Sequence, residues 1–370
     1  MHNPYFSEIH GSFGFGCMRL PMKGAEVDLE ETCRMVDAFL DRGLNYFDTA
    51  HGYLDGRSET ALRSCLTGRY PREAYILTNK LTAPYFKTEA DIRPFFQSQL
   101  ELCGVDYFDF YLMHAQGASN YGHFQRCNAY GVAAELKREG KIRHLGISFH
   151  DKAEVLERIL TDHPEVEAVQ IQFNYMDYED PAVQSRAVYE VCRKFGKPVI
   201  VMEPCKGGSL TDLPDDAAAV LEGSPAGYAL RFAAGFEGIA MVLSGMSSLA
   251  QMEEDLGFMA DFRPLSEKEQ AAVRQVTEIL RGKHLIPCTA CRYCTAGCPR
   301  KISIPDLFAC LNAKKTFRNW NADFYYENVY TVDGGKASDC VSCGRCEEAC
   351  PQHLEIRKLL KDVAAEFEKK

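Results

Sequence analysis

The sequence has 370 residues, of which 46% are hydrophobic and 25% are charged, and its formal net charge is -10. This composition is typical of a globular protein, the length favours one large domain joined to a small one, and the negative charge argues against nucleic acid as the main partner. No apolar run reaches the length of a membrane span, and the first residues, MHNPYFSEIHGSF, lack a signal-peptide pattern, so we expect a cytoplasmic location.

From residue 13 to about residue 260, short apolar segments alternate with segments of helical periodicity. The predicted strands are Phe13–Arg19, Leu44–Thr49, Ala74–Asn79, Tyr107–His114, Arg143–Ser148, Val166–Phe173, Pro198–Glu203 and Gly238–Ser244. The predicted helices are Leu29–Asp41, Glu89–Leu102, Val132–Arg138, Lys152–Leu160, Ala182–Phe195 and Ser224–Ala234. Eight strand–helix units in about 250 residues predict an α/β fold, a (β/α)8 TIM barrel over residues 1–262. A doubly wound open sheet is the alternative, but no Gly-x-Gly-x-x-Gly motif supports it.

Two further regions are predicted after the barrel. Residues 263–284 are expected to form a linking helix, in which Ser266 is the N-cap and Glu269 completes a capping box. Residues 285–370 contain two cysteine runs and are predicted to form a small, separate domain.

The two cysteine runs share the pattern C-x2-C-x2-C-x3-C-P and consist of Cys288, Cys291, Cys294, Cys298 and of Cys340, Cys343, Cys346, Cys350. This is the spacing of two-cluster ferredoxins, in which the fourth cysteine of each run ligates the other cluster. We therefore predict two [4Fe-4S] clusters. One is assigned to Cys288, Cys291, Cys294 and Cys350, and the other to Cys340, Cys343, Cys346 and Cys298. Structural zinc is the alternative, and the Cys-Pro endings argue against it.

The segment between the two runs carries a basic cluster and then an aromatic group. These residues are Arg300, Lys301, Lys314, Lys315 and Arg318, followed by Phe317, Trp320, Phe324, Tyr325, Tyr326 and Tyr330. The preferred interpretation is a helical wrap that packs its aromatic side chains on the barrel. The alternative is a docking surface for an acidic electron-carrier protein.

In a TIM barrel the active site lies at the C-terminal ends of the strands. Asp48 and Tyr53 lie at or after the end of the second predicted strand, Lys80 follows the third, and His114 ends the fourth. A lysine close to a tyrosine favours the phenolate and is expected to lower the tyrosine pKa, and a carboxylate holds that lysine in place. Such a tyrosine can protonate a carbonyl oxygen while hydride reaches the carbon. Each residue alone has a structural explanation, but their placement at neighbouring strand ends predicts a catalytic set.

Four segments of the barrel resemble the aldo/keto reductase superfamily: NYFDTAHGY with the following Ser58-Glu59, ILTNK, FDFYLMH and GKIRHLGIS. The tail, CTACRYCTAGCPRKISIP and CVSCGRCEEACPQHLEI, is similar to the ferredoxin-type 4Fe-4S domain of one subgroup. The resemblance implies that Tyr53 is the general acid, that Lys80 and Asp48 tune it, and that His114 positions a small carbonyl or alcohol substrate. It also implies a nicotinamide cofactor across the barrel mouth. The loop after His114, AQGASNYGHFQRC, is expected to shape the substrate pocket.

The residues expected to hold the cofactor match the family less closely. Ser148 and Gln170 correspond to the residues that hold the carboxamide, whereas Met202 replaces the aromatic side chain that stacks on the nicotinamide ring. The phosphate and adenine end is expected at Ser244, Gly245, Ser247, Ser248, Gln251, Glu254 and Asp255. No lysine or arginine occurs in this stretch, where NADP-selective members place a cation. The sequence therefore favours NADH, although a cation can come from another loop.

A nicotinamide transfers two electrons as hydride, whereas an iron–sulfur cluster transfers one, so direct exchange between them needs a group such as a flavin. No sequence feature identifies a flavin site. Three functions are consistent with the sequence: a carbonyl reductase whose clusters brace the tail or sense redox state, a barrel whose bound cofactor or substrate receives single electrons from the tail, and a non-catalytic electron-transfer module. The complete acid–base set argues against the third, and the first is preferred.

Overall fold

The computed structural model describes residues 3–181, 183–283, 286–288, 290–317, 321–350 and 352–368. Its centre is a closed barrel of parallel strands in which each strand pairs with its neighbours in the chain and the last pairs with the first. The TIM-barrel prediction is therefore confirmed. The barrel strands are β1 (Phe13–Gly16), β2 (Tyr46–Asp48), β3 (Ile76–Leu81), β4 (Phe108–Gln116), β5 (Ile142–Phe149), β6 (Ala168–Gln172), β7 (Val199–Met202) and β8 (Ile239–Ser244).

Helices connect the strands and cover the outside of the barrel. They are Leu29–Asp41, Arg57–Leu62, Glu89–Cys103, Ala118–Arg126, Ala129–Arg138, Ala153–Asp162, Ser185–Lys194, Asp215–Ala218, Pro225–Ala234 and Leu249–Met259. A small antiparallel hairpin pairs Met22–Lys23 with Glu26–Val27. Ala182, the first residue of one predicted helix, lies outside the described residues. Within those residues, no helix is both long and apolar enough to cross a membrane.

The segment after His114 does not form the predicted loop. It continues β4 to Gln116 and then forms the helix Ala118–Arg126. Asp151 Oδ2 accepts a hydrogen bond from the backbone N–H of Ala118 at 2.7 Å, and Asn120 Oδ1 accepts one from Gly117 at 3.1 Å. These bonds satisfy N–H donors at the start of the helix. One of the acceptors, Asp151, lies far along the sequence, so the local sequence does not reveal it.

The barrel interior is filled by side chains, so the barrel is a packed core rather than a channel. Tyr46, Phe110, Ile200 and Met241 belong to one buried cluster, which also includes Phe6 from the N-terminal segment. A larger buried cluster joins the outward-facing side chains of the strands to the surrounding helices. The interior packing leaves the C-terminal ends of the strands as the place where a ligand can enter.

The helix Glu267–Gly282 follows the barrel, and Ser266 caps it as predicted, with Glu269 Oε2 accepting from the Ser266 N–H at 2.8 Å. Its buried side chains Val273, Val276 and Leu280 pack in a cluster with residues of the barrel. The C-terminal region then contains the helices Tyr293–Ala296, Ile304–Phe317, Asn321–Tyr325, Arg345–Glu348 and Ile356–Phe367.

Three of the aromatic side chains between the cysteine runs, Tyr325, Tyr326 and Tyr330, are buried in the core of the C-terminal region itself. Phe324 contacts His150 of the barrel, as the interpretation of a wrap on the barrel requires. The basic residues Lys314 and Lys315 form ion pairs with Glu366. Arg318, Trp320 and the side chain of Phe317 lie outside the described residues.

The C-terminal region contacts the barrel mouth through a buried polar network. Lys206, which follows β7, forms an ion pair with Asp177, and their side chains are only 5% and 1% exposed. Asp177 also accepts a hydrogen bond from Gln172 Nε2 at 2.6 Å, and Gln172 Oε1 accepts one from Asn321 Nδ2 at 3.2 Å. Because water is excluded, each charge in this network depends on its partner.

We expect the substitution Asp177→Asn to lower the free energy of unfolding by about 3–5 kcal/mol, because it breaks the buried ion pair between Asp177 and Lys206. Urea unfolding of the purified protein measures this loss. The matched control is Glu222→Gln, which breaks the ion pair with Lys268, whose two side chains are 73% and 76% exposed. That control should leave the free energy of unfolding close to the wild-type value, and equal losses in the two variants would contradict the prediction.

Candidate active site and cluster-binding sites

A cavity of about 720 Å³ opens at the C-terminal ends of the barrel strands, a volume typical of small-molecule pockets. Asp48, Tyr53 and His114 line it, and Lys80 is buried beside them. These side chains come together because β2, β3 and β4 are neighbours in the barrel. The structure therefore places all four predicted catalytic residues at one end of three adjacent strands.

Lys80 is the centre of this group. Its Nζ lies 2.5 Å from Asp48 Oδ1 and donates hydrogen bonds to the carbonyl oxygen of Thr49 at 2.8 Å and to the hydroxyl of Tyr53 at 3.2 Å. The other carboxylate oxygen of Asp48 accepts a hydrogen bond from Gln170 Nε2 at 3.0 Å. Burial acts to lower the pKa of Lys80, but the charges of Asp48 and Tyr53 outweigh it and raise the pKa, so the ammonium group is retained.

The pKa of Tyr53 is raised overall, so the predicted net lowering is wrong for this site, although Lys80 itself acts to lower the pKa as expected. Burial is the largest cause, and the charge of Asp48 also raises the pKa, whereas Lys80 offsets only part of these effects. Desolvation of the phenolate decides the direction, and sequence reasoning did not include it. A protonated Tyr53 carries the proton that a general acid must donate.

His114 is neutral in this environment. Burial is the main cause that lowers its pKa well below the usual value, followed by the positive charge of Lys80. Its Nδ1 lies 2.7 Å from the hydroxyl of Thr82. When Thr82 donates this hydrogen bond, Nε2 of His114 carries the proton and can donate it to a ligand oxygen.

His150 is a further histidine at the cavity, located directly after β5. Burial lowers its pKa to about 4, and its Nδ1 is buried without a hydrogen-bond partner in the part of the chain that the structure describes. Sequence reasoning noted His150 only as the residue after Phe149. Its position at a strand end was the signal that could have identified it.

Most of the predicted cofactor-binding residues line the same cavity. They are Gln170, Met202, Ser244, Gly245, Ser247, Gln251, Glu254 and Asp255. Ser148 and Ser248 are not among the lining residues. The hydroxyl of Ser148 accepts from the backbone N–H of Ala115 at 2.7 Å, and that of Ser248 accepts from the N–H of Gln251 at 3.3 Å and caps the helix Leu249–Met259.

Two charged residues of the cavity were missed by sequence reasoning. Arg19 follows β1 and Glu203 follows β7, with Arg19 Nη1 lying 3.8 Å from Glu203 Oε1. The hydroxyl of Ser247 donates to the carbonyl oxygen of Arg19 at 2.8 Å, so Arg19 lies beside the segment expected at the phosphate end. Burial raises the pKa of Glu203, and its Oε2 is buried without a hydrogen-bond partner among the described residues, so this atom is available to a ligand.

Asp255 is a buried carboxyl group on the same side of the cavity. It accepts a hydrogen bond from the Ser244 hydroxyl at 2.7 Å, but burial outweighs this bond and raises its pKa to about 6. The folded protein therefore holds a proton at Asp255 that the unfolded chain releases above a pH of about 4. The stability linked to this proton is complete below that pH and is lost as the pH rises through about 6.

We expect Asp255→Asn to remove this loss, because the amide carries no charge. Between pH 5 and pH 7.5 the variant should gain about 1–1.5 kcal/mol of unfolding free energy relative to the wild-type protein. Chemical unfolding at the two pH values measures the difference. Asp261→Asn, a change at an exposed position, is the control and should show no such gain. A pH-independent difference between Asp255→Asn and the wild-type protein would contradict the prediction.

Two further cavities lie in the C-terminal region, and cysteines line both. One contains Cys288, Cys291, Cys294 and Cys350, and the other contains Cys298, Cys340, Cys343 and Cys346. Each cavity thus combines three cysteines of one run with the last cysteine of the other run. Ile304 lines both cavities, so the two sites are neighbours.

The two sets of cysteines match the ligand sets expected for two clusters, in which the last cysteine of each run ligates the other cluster. A zinc ion holds four sulfur ligands at about 2.3 Å from one point. Cysteines from both runs around each cavity agree with the cross-run thiolate ligation of a two-cluster ferredoxin.

Comparison with known proteins identifies two regions. Residues 12–278 match the model of the aldo/keto reductase family, and residues 287–355 match the model of a 4Fe-4S dicluster domain. The first match covers most of the chain and includes all the barrel strands.

Individual relatives agree with the barrel match. An aldo-keto reductase of Strobilurus tenacellus is 29% identical over 218 residues, which cover 55% of this chain and 61% of that protein. The NADH-specific methylglyoxal reductase of Escherichia coli is 27% identical over 186 residues, 46% of this chain and 55% of that protein. The matches thus span less than two thirds of these relatives. The holo form of an aldo-keto reductase from Bacillus halodurans has a TM-score of 0.60 and 23% identity over 75% of this chain and 95% of that chain, which shows the shared fold.

Proposed function

Because this chain belongs to the aldo/keto reductase family, we propose that it is an oxidoreductase that reduces a small carbonyl compound, or oxidises the corresponding alcohol, with a nicotinamide cofactor. The observation that carries this proposal is the contact of buried Lys80 with both Asp48 and the hydroxyl of Tyr53. A binding module has no need for a buried acid that is held by a charged pair at the wall of a cavity.

The residues of the cavity fit a nicotinamide cofactor. Gln170 and Met202 lie at one part of the wall and the segment from Ser244 to Asp255 at another, so an extended molecule can contact both. Arg19 supplies a cation beside Ser247 for a phosphate group, and Glu203 offers its unpartnered oxygen to a polar group. When bound, the reduced cofactor supplies hydride to the substrate carbon.

We propose NADH as the preferred form of the cofactor. Glu254 and Asp255 line the end of the cavity where the adenine is expected, and their acidic groups disfavour a 2′-phosphate. The name of the related methylglyoxal reductase from Escherichia coli, which describes it as NADH-specific, supports the same choice.

The catalytic roles follow from the contacts. Tyr53 donates its proton to the carbonyl oxygen as hydride arrives at the carbon, which completes the alcohol. Lys80 stabilises the phenolate that remains, and Asp48 holds Lys80 in place with the help of Gln170. His114 donates a hydrogen bond from Nε2 to the same carbonyl oxygen and so orients the substrate.

The substitution Tyr53→Phe tests these roles. We expect it to lower kcat for carbonyl reduction by at least about 100-fold, because it removes the proton donor while keeping the ring. Initial rates with NADH and a panel of small aldehydes measure the loss, and circular dichroism and iron content should be unchanged. Tyr85→Phe is the matched control, since the hydroxyl of Tyr85 lies close to Gly52 but the residue does not line the cavity. Retained turnover in Tyr53→Phe would contradict the assignment.

We also propose that the C-terminal region holds two [4Fe-4S] clusters, one in each cysteine-lined cavity, and that the clusters brace this region. The buried core of the region includes Cys294 and Cys346 together with Ile304, Phe308 and Leu360. Three cysteines of one run and one of the other would ligate the cluster in each cavity, so a bound cluster would link the two runs. Cluster loss should therefore loosen the whole region, including the segment that contacts the barrel.

The metal content tests the ligand assignment. The anaerobically purified protein should contain about eight irons per chain, and a zinc signal in place of iron would overturn the assignment. Cys350→Ala should impair the cluster of Cys288, Cys291 and Cys294, whereas Cys310→Ala should leave the iron content unchanged. Cys310 is the matched control because it is buried in the same region but lines neither cavity.

A second candidate function is single-electron supply from the clusters to a cofactor or substrate in the barrel. The observation that favours it is a series of ring contacts that leads toward the cavity. Tyr330 lies 6.4 Å from Tyr325, Tyr325 lies 6.0 Å from Phe324, and Phe324 lies 5.2 Å from His150 between ring centroids. This function needs a group that converts between one and two electrons, such as a flavin, whereas the Asp48–Lys80–Tyr53 set does not, so we place it second.

A further inference from the structure

Phe324 brings an aromatic ring from the C-terminal region into the barrel cavity. It lines the same cavity as Tyr53 and His114, and its ring centroid lies 5.2 Å from that of His150 at an interplanar angle of 56°. We propose that Phe324 and His150 form the wall that selects the substrate, and that this wall favours uncharged carbonyl compounds that carry an aromatic ring. The inference rests on the proposed function and names its substrate class.

The position of Phe324 is held from both sides. It belongs to the helix Asn321–Tyr325, in which Asn321 and Tyr325 are buried while Phe324 stays partly exposed. Asn321 Nδ2 donates to Gln172 Oε1 of the barrel at 3.2 Å. Beyond the helix, the hydroxyl of Tyr330 donates to the carbonyl oxygen of Pro181 at 3.4 Å. The ring is therefore presented at a fixed place, which a selective wall requires.

His150 supports the ring from the barrel side. Its backbone N–H donates to the carbonyl oxygen of Gln116 at 3.0 Å, which fixes the start of the loop after β5. Its side chain contacts Phe324 in a tilted arrangement, a favourable geometry for two rings. The two side chains come from different parts of the chain, and together they form one aromatic surface.

The charges of the cavity lie on the other side. Arg19, Glu203, Glu254 and Asp255 follow β1, β7 and β8, which are contiguous in the barrel. Tyr53, His114 and His150 lie at the ends of β2, β4 and β5 and are neutral. Among the described lining residues, only Asp48 carries a charge on this side, and Lys80 compensates it. An uncharged substrate fits this half of the cavity, while the charged half suits the cofactor.

The size of the effect follows from ring–ring contacts. An aromatic substrate gains a ring–ring interaction with Phe324 that a saturated ring of similar size does not gain. Such an interaction raises affinity by about 2- to 12-fold, in addition to the effect of burying apolar surface. Benzaldehyde and cyclohexanecarbaldehyde are a suitable pair of probes, because both carry a six-membered carbon ring next to the aldehyde.

The test compares kcat/KM for these two aldehydes in the holoenzyme and three variants. Phe324→Leu should lower the ratio for benzaldehyde over cyclohexanecarbaldehyde by about 2- to 12-fold, mainly through the KM for benzaldehyde. Phe324→Tyr keeps the ring and should preserve the ratio. Phe367→Leu is the matched control, since Phe367 stacks on Tyr326 at 4.5 Å in the same region but does not line the cavity. An unchanged ratio in Phe324→Leu, or an equal fall in Phe367→Leu, would overturn the inference.

Binding provides a second readout that does not depend on turnover. In the Tyr53→Phe protein loaded with NADH, calorimetric titration should give a lower Kd for benzaldehyde than for cyclohexanecarbaldehyde. Adding Phe324→Leu should make the two Kd values similar. An unchanged Kd ratio would overturn the inference even if no aldehyde is reduced. If the wild-type protein reduces no aldehyde of the panel, the proposed function fails, and the Kd ratio still decides the inference. If Tyr53-dependent reduction is present and Phe324→Leu changes neither ratio, only the inference fails.

Discussion

The buried ammonium group of Lys80 is the constraint on which the candidate active site depends. A charge in this position requires a partner, and Asp48 provides it from the neighbouring strand. The pair also positions Tyr53, because the ammonium group donates a further hydrogen bond to the tyrosine hydroxyl at 3.2 Å. Gln170 holds the far oxygen of Asp48, so residues from β2, β3 and β6 form one network. These contacts depend on the register of the barrel strands, because a shift of one strand by one residue would turn its side chain away from the others.

The C-terminal region extends this organisation above the barrel. Its cysteines lie around two adjacent cavities, whereas Asn321 and Phe324 reach the barrel mouth from the segment between the two runs. A cluster with ligands from both runs would also hold the segment between the runs at its two ends. We propose that clusters at these sites support the candidate active site through structure, without exchange of electrons with a nicotinamide cofactor.

The sequence predicted those features that repeat or that depend on neighbouring residues. The alternation of apolar strands and helices predicted the barrel, and strand-end positions predicted that Asp48, Tyr53, Lys80 and His114 share one end of it. The same rule applied to β1 and β7 would have identified Arg19 and Glu203. The helix Ala118–Arg126 was missed because the carboxylate of Asp151, which follows β5, accepts the hydrogen bond of its first N–H group. The predicted direction of the Tyr53 pKa shift was wrong because burial, its largest cause, is a property of the folded structure. Phe324 could not be assigned to the cavity, since only tertiary packing brings it to His150.

The relation between barrel and clusters is the central claim, and an anaerobic titration tests it most directly. The purified protein is titrated with NADH and then with NADPH, and cluster reduction is followed by electron paramagnetic resonance and optical absorbance. The account predicts that a nicotinamide binds while the clusters stay oxidised until dithionite is added. Reduction of the clusters by a nicotinamide alone would contradict it, because a one- to two-electron converter would then connect the clusters to the barrel site.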